Sequence, residues 1–292
     1  MSISKDSLTG ILCVIGAGMC WGTTGTIQAF MPAAATSLVV GSARVVFSGV
    51  ILLAAMAVKT RGKIFFGKWS VKGVLLAAFG LAGYQLTFFS AVKMTGVAAG
   101  TMVAIGSAPP IAGIFGWLLF RERLGWRWLA ATAATVAGCV MLILGGGGEI
   151  SVSFAGVLLA LCAAVSYALE GVGLRYVRRS PYETIAMVSA ASGLMALPWF
   201  LAGDLSWMLL PRGALCITLL VFVSTIIPYT LFTIGIRKIK LGTGYTLALS
   251  EPLTAWFLST ALLGERLSAV GVAGVGTLFA GILLLALDKK AA

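Results

Sequence analysis

Ten apolar runs, each about twenty residues long, leave this chain few folds to choose from. They cover roughly 8–28, 36–58, 71–92, 97–120, 125–145, 154–175, 183–202, 213–236, 242–263 and 267–287. A helix of that length matches the hydrocarbon thickness of a bilayer, and the runs are too continuously apolar for the alternating strands of a barrel. Backbone polar groups inside lipid must bond within their own segment, so each run is read as a transmembrane helix. Composition agrees: 60% of the 292 residues are hydrophobic and 10% charged, against roughly a quarter charged in soluble domains. The expected fold class is an all-α integral membrane protein with ten spans. The first run follows Lys5 and Asp6, and no polar stretch follows its small residues Ala17, Gly18 and Cys20, so it reads as an uncleaved helix.

Orientation follows from the cations. With ten spans, 17 of the 21 Lys and Arg residues fall on one side, in the loops around Lys59–Lys72, Arg121–Arg127, Arg175–Arg179 and Arg237–Lys240 and at both ends of the chain. Lys93, Arg212 and Arg266 lie on the other, and Arg44 is inside a span. The positive-inside rule then puts both termini in the cytoplasm of a multi-pass protein of the cell (inner) membrane. The formal net charge of +12 is accounted for by headgroups and orientation, and no nucleic-acid partner is expected.

An internal repeat comes next. Ala104–Leu124, AIGSAPPIAGIFGWLLFRERL, has the same plan as Leu247–Leu267, LALSEPLTAWFLSTALLGERL. Pro109 pairs with Pro252, Glu122 with Glu265, Arg123 with Arg266 and Gly138 with Gly281, all at an offset of 143. Tyr84 pairs with Tyr229 at 145; Gly10, Trp21 and Gly25 pair with Gly156, Tyr167 and Gly171 at 146. A glycine-rich connector, Gly145–Glu149, separates residues 1–146 from 150–292. Five spans per half is an odd number, so the second half enters the membrane from the opposite side and the repeats are inverted.

These landmarks (Trp21-Gly22 in the first helix, the Pro-containing fourth helix closing on an acidic-basic-Leu turn, and the repetition of both) resemble the EamA family of the drug/metabolite transporter superfamily. Within it the chain looks most like YddG-type exporters of aromatic amino acids. The resemblance covers essentially the whole chain. It implies two inverted five-helix repeats, with helices 1–4 and 6–9 around a central cavity and helices 5 and 10 at the periphery. Small-residue faces on those two helices, Ala130, Ala134 and Gly138 against Gly271, Gly274 and Gly281, suit close packing.

Candidate site residues are the polar and aromatic groups deep in the runs. A charge at mid-membrane costs of order 2.5–3.5 kcal/mol on insertion scales, which singles out Arg44 as a buried charge and Glu170 and Glu251 as candidate ligands for substrate. Trp21, Tyr84, Tyr167, Tyr229 and Tyr245 offer apolar walls with hydroxyl and indole donors, a surface suited to a zwitterion with a flat side chain. Gln85 and Ser107 add neutral partners. Pro109, Pro110, Pro228 and Pro252 each remove an intrahelical hydrogen bond and are candidate hinges. Glu251 stands where the first repeat has Ala108, the sharpest departure from symmetry in the opening motif.

The chain contains no histidine, which removes the commonest general base and zinc ligand. Its five cysteines all lie in apolar runs without metal or redox spacing. No nucleotide-binding P-loop occurs, so a primary pump is disfavoured, and neither catalysis nor a cofactor is expected. The reading is a secondary transporter exporting small amphipathic metabolites, amino acids including aromatic ones, by alternating access. Other readings are a nucleotide-sugar or sugar-phosphate carrier, a cationic-drug exporter acting through Glu251, and an intramembrane enzyme using Ser-Lys or carboxylate chemistry. Its expected partners are a small-molecule substrate and the lipid bilayer, and a monomer is compatible with the sequence.

Overall fold

A computed structural model describes residues 4–145, 153–263 and 268–288. Residues 146–149 of the connector, Glu265, Arg266, Lys289 and Lys290 lie outside the described residues. Among the described residues, nine helices are long and apolar enough to cross a membrane. These are α1 (Lys5–Ala29), α2 (Ser37–Lys59), α3 (Val71–Thr95), α4 (Gly100–Phe120), α5 (Trp126–Gly145), α6 (Phe154–Tyr176), α7 (Pro181–Leu201), α8 (Pro211–Gly235) and α10 (Ala269–Ala286). The run at 242–263 supplies the tenth crossing, α9, but in pieces. Leu241–Ala248 forms α9a, Ser250–Leu258 forms α9b, and a π turn follows over Ser259–Leu263.

The helices begin where serine side chains can take up free backbone N–H groups. Ser70, Ser153 and Ser268 each accept from the amide three residues on, and Ser180 with Glu183 forms a reciprocal capping box at the start of α7. Left-handed residues end two of them, Arg121 (φ 55°) after α4 and Arg61 (φ 51°) after α2. Between α3 and α4 the chain doubles back although helical bonding continues through 96–99. A Cβ on Gly100 would come within 3.1 Å of Val92 Cα, whereas eight residues of straight helix rise about 12 Å.

Close backbone contacts join the two halves. α5 and α10 pack face to face, with Gly138 so near Leu278 that an added Cβ would sit 2.3 Å from its amide nitrogen. The α5 face in this contact runs through Ala131, Thr135 and Gly138, one position on from the expected Ala130 and Ala134. Two ion pairs place both chain ends on one side: Asp6 at the start of α1 with Lys238 after α8, and Arg127 at the start of α5 with Asp288 after α10. That face is the terminus side below, and the opposite face the far side.

Candidate functional site

A cavity of about 300 Å³ opens between the two repeats. α1, α2, α3, α4, α6, α8 and α9b line it, and α7, one of the helices expected around it, does not. Its position in depth can be read from the chain. The wall takes the far-side half of α1 (Trp21 to Gln28), the first two turns of α2 (Arg44) and α4 (Thr101, Ile105), and the middle of α6 (Tyr167).

The break in α9 creates one wall. Pro252 has no N–H to return to the Ala248 carbonyl, and the helix is interrupted at Leu249 (ψ 2°). α1 receives this irregular segment on a pair of glycines one turn apart. A Cβ on Gly18 would lie 2.8 Å from the freed Ala248 oxygen, and one on Gly22 2.6 Å from the Glu251 carbonyl oxygen. Ser250 Oγ also donates to the Ile15 carbonyl of α1 at 3.1 Å. Irregular backbone inside a membrane is stable only when packed this way. The result holds Glu251 at the cavity wall beside Trp21, and its carboxylate makes no hydrogen bond or ion pair among the described residues.

Arg44 forms the opposing charge. Within α8 the residues Phe222–Ile226 form a π turn, and Pro228 lacks the N–H that would bond to Ser224 four residues back. That carbonyl instead accepts from Arg44 Nη2 at 3.0 Å, while Arg44 Nε donates to Thr225 Oγ1 at 3.1 Å. Thr225 Oγ1 itself donates to the Leu220 carbonyl, and Ser224 Oγ is bonded to Thr23 Oγ1 of α1. The guanidinium is therefore fixed along one edge, and Nη1 carries no hydrogen bond among the described residues. Arg44 and Glu251 make no ion pair with each other, so the cavity holds a cation and an anion each open to a third party.

The aromatic groups form a chain across the cavity with the symmetry of the repeats. Tyr84 meets Tyr167 with ring centroids 5.3 Å apart, and their repeat equivalents Tyr229 and Trp21 meet at 5.2 Å. Trp21 and Tyr167, equivalent to each other, touch edge to face at 6.0 Å in the middle. The pseudo-two-fold axis thus passes between them. Phe88 extends the chain, stacked on Tyr84 at 5.3 Å.

Of the expected ligands, Trp21, Tyr84, Gln85, Tyr167, Tyr229 and Glu251 line this cavity together with Arg44, whereas Ser107, Glu170 and Tyr245 do not. Ser107 is half-buried on α4. Glu170 is buried in the packing of α6, and Tyr245 belongs to the seal described next. Among the expected hinges, Pro252 sits at the α9 break and Pro228 follows the π turn, while Pro109 and Pro110 lie within an unbroken α4. The sequence reading missed Thr24, Gln28, Phe88, Phe89 and Thr101 on the wall. Helical spacing carried a signal for most of them: 21, 24, 25 and 28 share one face of α1, and 84, 85, 88 and 89 one face of α3.

The terminus-side half is filled. Tyr245 of α9a donates from its hydroxyl to the Tyr167 carbonyl and accepts from Gly171 N–H. Nearer the surface, Glu122 at the end of α4 pairs with Arg175 at the end of α6 and accepts from Leu241 N–H at 2.8 Å, which caps α9a. Arg175 also reaches the Ile239 carbonyl at 3.2 Å. Arg237 donates to the carbonyls of Leu174 and Arg179 and to Thr184 Oγ1. These bonds cross between the repeats or between adjacent helices and shut the cavity from the terminus side.

Comparison with known proteins places this arrangement. The profile of the EamA-like transporter family matches residues 8–144 and again 154–287. The uncharacterized transporter YwfM of Bacillus subtilis (strain 168) is 36% identical over 276 residues, covering 94% of this chain and 92% of that protein. A probable amino-acid metabolite efflux pump of Salmonella typhimurium is 26% identical over 238 residues, covering 75% of this chain and 78% of its own length. A solved crystal structure with 21% sequence identity superimposes with a TM-score of 0.81 over 97% of this chain and 96% of its own, and so shares the fold.

Proposed function

Because this chain belongs to the EamA-like transporter family, matched over both halves of its length, we propose that it exports amino acids, aromatic ones included, by alternating access. It is a multi-pass membrane transporter; the substrate class, the direction and the mechanism are the proposal. One observation carries it: Arg44 and Glu251, neither in an ion pair among the described residues, on the wall of one small aromatic cavity. An α-carboxylate meets the free edge of Arg44, an α-ammonium meets Glu251, and the side chain lies against Trp21, Tyr84, Tyr167 and Tyr229. The probable amino-acid efflux pump among its relatives supports the same class.

The competing substrates fit less well. A sugar phosphate would find one arginine for its several negative oxygens and a carboxylate repelling it. An organic cation would use Glu251 and the aromatic walls but leave Arg44 with a buried unbalanced charge. The cation bias of the loops supports cytoplasmic termini in an inner membrane, so the cavity faces outward and the sealed half faces the cytoplasm. Mechanistically, opening the seal would let substrate load from the terminus side, and restoring it with the far side open would release it.

Counterflow into proteoliposomes tests the substrate class, using aromatic and aliphatic amino acids, a sugar phosphate, a nucleotide sugar and a cationic dye. Exchange of aromatic amino acids in preference to the rest is expected. Exchange of phosphorylated compounds without amino acids would overturn the reading.

A further inference from the structure

One buried carboxyl group has no part in that account. Glu170 lies on α6 between Tyr167 and Gly171, is 1% exposed, and finds no hydrogen-bond partner for either oxygen among the described residues. It is off the cavity wall. The backbone around it is pressed against α3, where a Cβ on Gly80 would come 2.5 Å from the Glu170 amide nitrogen. Among the described residues, the titratable groups near enough to feel its charge are tyrosines: Tyr84 from α3, Tyr229 from α8, Tyr245 from α9a, and Tyr167 on its own helix. The nearest cation along α6, Arg175, is taken by Glu122 and the Ile239 carbonyl.

The two residues that bracket Glu170 are the two that anchor Tyr245 of the seal. Tyr245 bonds to the carbonyl of Tyr167 and the amide of Gly171. While those bonds stand, a bare carboxylate at position 170 would be desolvated with nothing to offset it. If α9a leaves α6, the same turn meets terminus-side water, where a carboxyl group ionises readily near neutrality.

We propose that Glu170 is a proton-binding site of the terminus-side gate: the gate is sealed with the proton on Glu170 and open with it released. On opening, the carboxyl O–H bond breaks heterolytically, the proton passes to terminus-side water, and the carboxylate is left in the hydrated cleft. Resealing takes one proton back from the same side. Because the site is closed off from the cavity when sealed, this proton regulates the gate and is not carried across the membrane. The sealed state binds more protons than the open one, so its population rises as pH falls.

The test needs no substrate and stands apart from the amino-acid reading. Cys13, Cys20, Cys139, Cys162 and Cys216 are replaced by alanine, and Thr243→Cys is introduced in α9a, where the native side chain is fully buried on the terminus side of Tyr245. Maleimide labelling of the full chain in nanodiscs is followed from pH 6 to pH 8. Each rate is divided by that of an exposed Lys63→Cys reporter, which removes the thiol's own titration. The normalised rate is expected to rise at least fivefold from pH 6 to pH 8, and Glu170→Gln is expected to hold it at the pH 6 level throughout. Glu170→Leu, whose side chain needs no hydrogen bond in the same packing, serves as a second neutral variant and should behave like the glutamine. A flat profile with Glu170 present, or a neutral variant that keeps the parent's pH dependence, would overturn the proposal.

Discussion

The two halves of the membrane-spanning core are built from related sequences, yet one is hollow and the other is locked. The far-side half holds the cavity with Arg44 and Glu251 on its wall. The terminus-side half holds Tyr245, the Glu122–Arg175 pair and the three bonds of Arg237. Inverted repeats would make the two ends of the core equivalent if their sequences matched, and they do not. At the repeat offsets of 146, 145 and 143, the partners of Arg175, Arg237 and Tyr245 are Ala29, Val92 and Met102. The far side therefore lacks the counterparts of these three polar locks. The duplication supplies a common frame, and the substitutions within it decide which end is held by hydrogen bonds.

The largest effect is expected at the hollow half. Glu251→Gln removes the counter-charge for an ammonium group, and we expect counterflow to fall roughly 10- to 100-fold, the loss of one charge-assisted hydrogen bond, with the amount of folded protein in the membrane unchanged. Arg44→Gln should weaken binding of an aromatic amino acid by a comparable roughly tenfold or more, yet leave its decarboxylated amine little affected; equilibrium competition measures both. Thr225→Val removes the bond that steadies Arg44 Nε, together with the local bond from Thr225 Oγ1 to the Leu220 carbonyl, so a smaller loss of about fivefold is expected for the same zwitterion, and Thr225→Ser should restore it.

Two further changes act on the locked half. Glu122→Gln leaves Arg175 without its anion and weakens the cap on α9a, so labelling of the Thr243→Cys reporter should rise several-fold at constant pH while substrate affinity with the far side open stays constant. Tyr245→Phe removes two hydrogen bonds worth about 1 kcal/mol each. Its thermal unfolding midpoint in detergent should drop by roughly 2–6 °C, the smallest of these effects.

How much of this was legible in the chain differs between fold and site. Run length and cation bias suffice for ten crossings, because lipid admits so few backbone conformations. Repeat spacing suffices to pair Trp21 with Tyr167 and Tyr84 with Tyr229, and the structure joins all four in one aromatic chain. Arg44 was visible as a buried charge, but its anchorage was not: the π turn that receives it lies about 180 residues away in the chain, and no local pattern announces a carbonyl freed toward another helix. Glu170 and Glu251 were both legible as acids in apolar runs, and the repeat singled out Glu251 where the first copy has Ala108, but which of them meets the cavity was not legible. Packing decides it, since Glu251 follows a break that turns it to the cavity and Glu170 lies within an unbroken helix pressed on α3. The prolines show the same divergence, for Pro252 accompanies a break and Pro109, its repeat partner, does not.

The most direct test of the central claim is competition for the purified protein between an aromatic amino acid, its decarboxylated amine and its N-acetylated acid. A cavity that grips both ends through Arg44 and Glu251 should bind the intact zwitterion at least tenfold more tightly than either analogue. Equal binding of the amine, or displacement by a sugar phosphate at lower concentration than the amino acid, would contradict it.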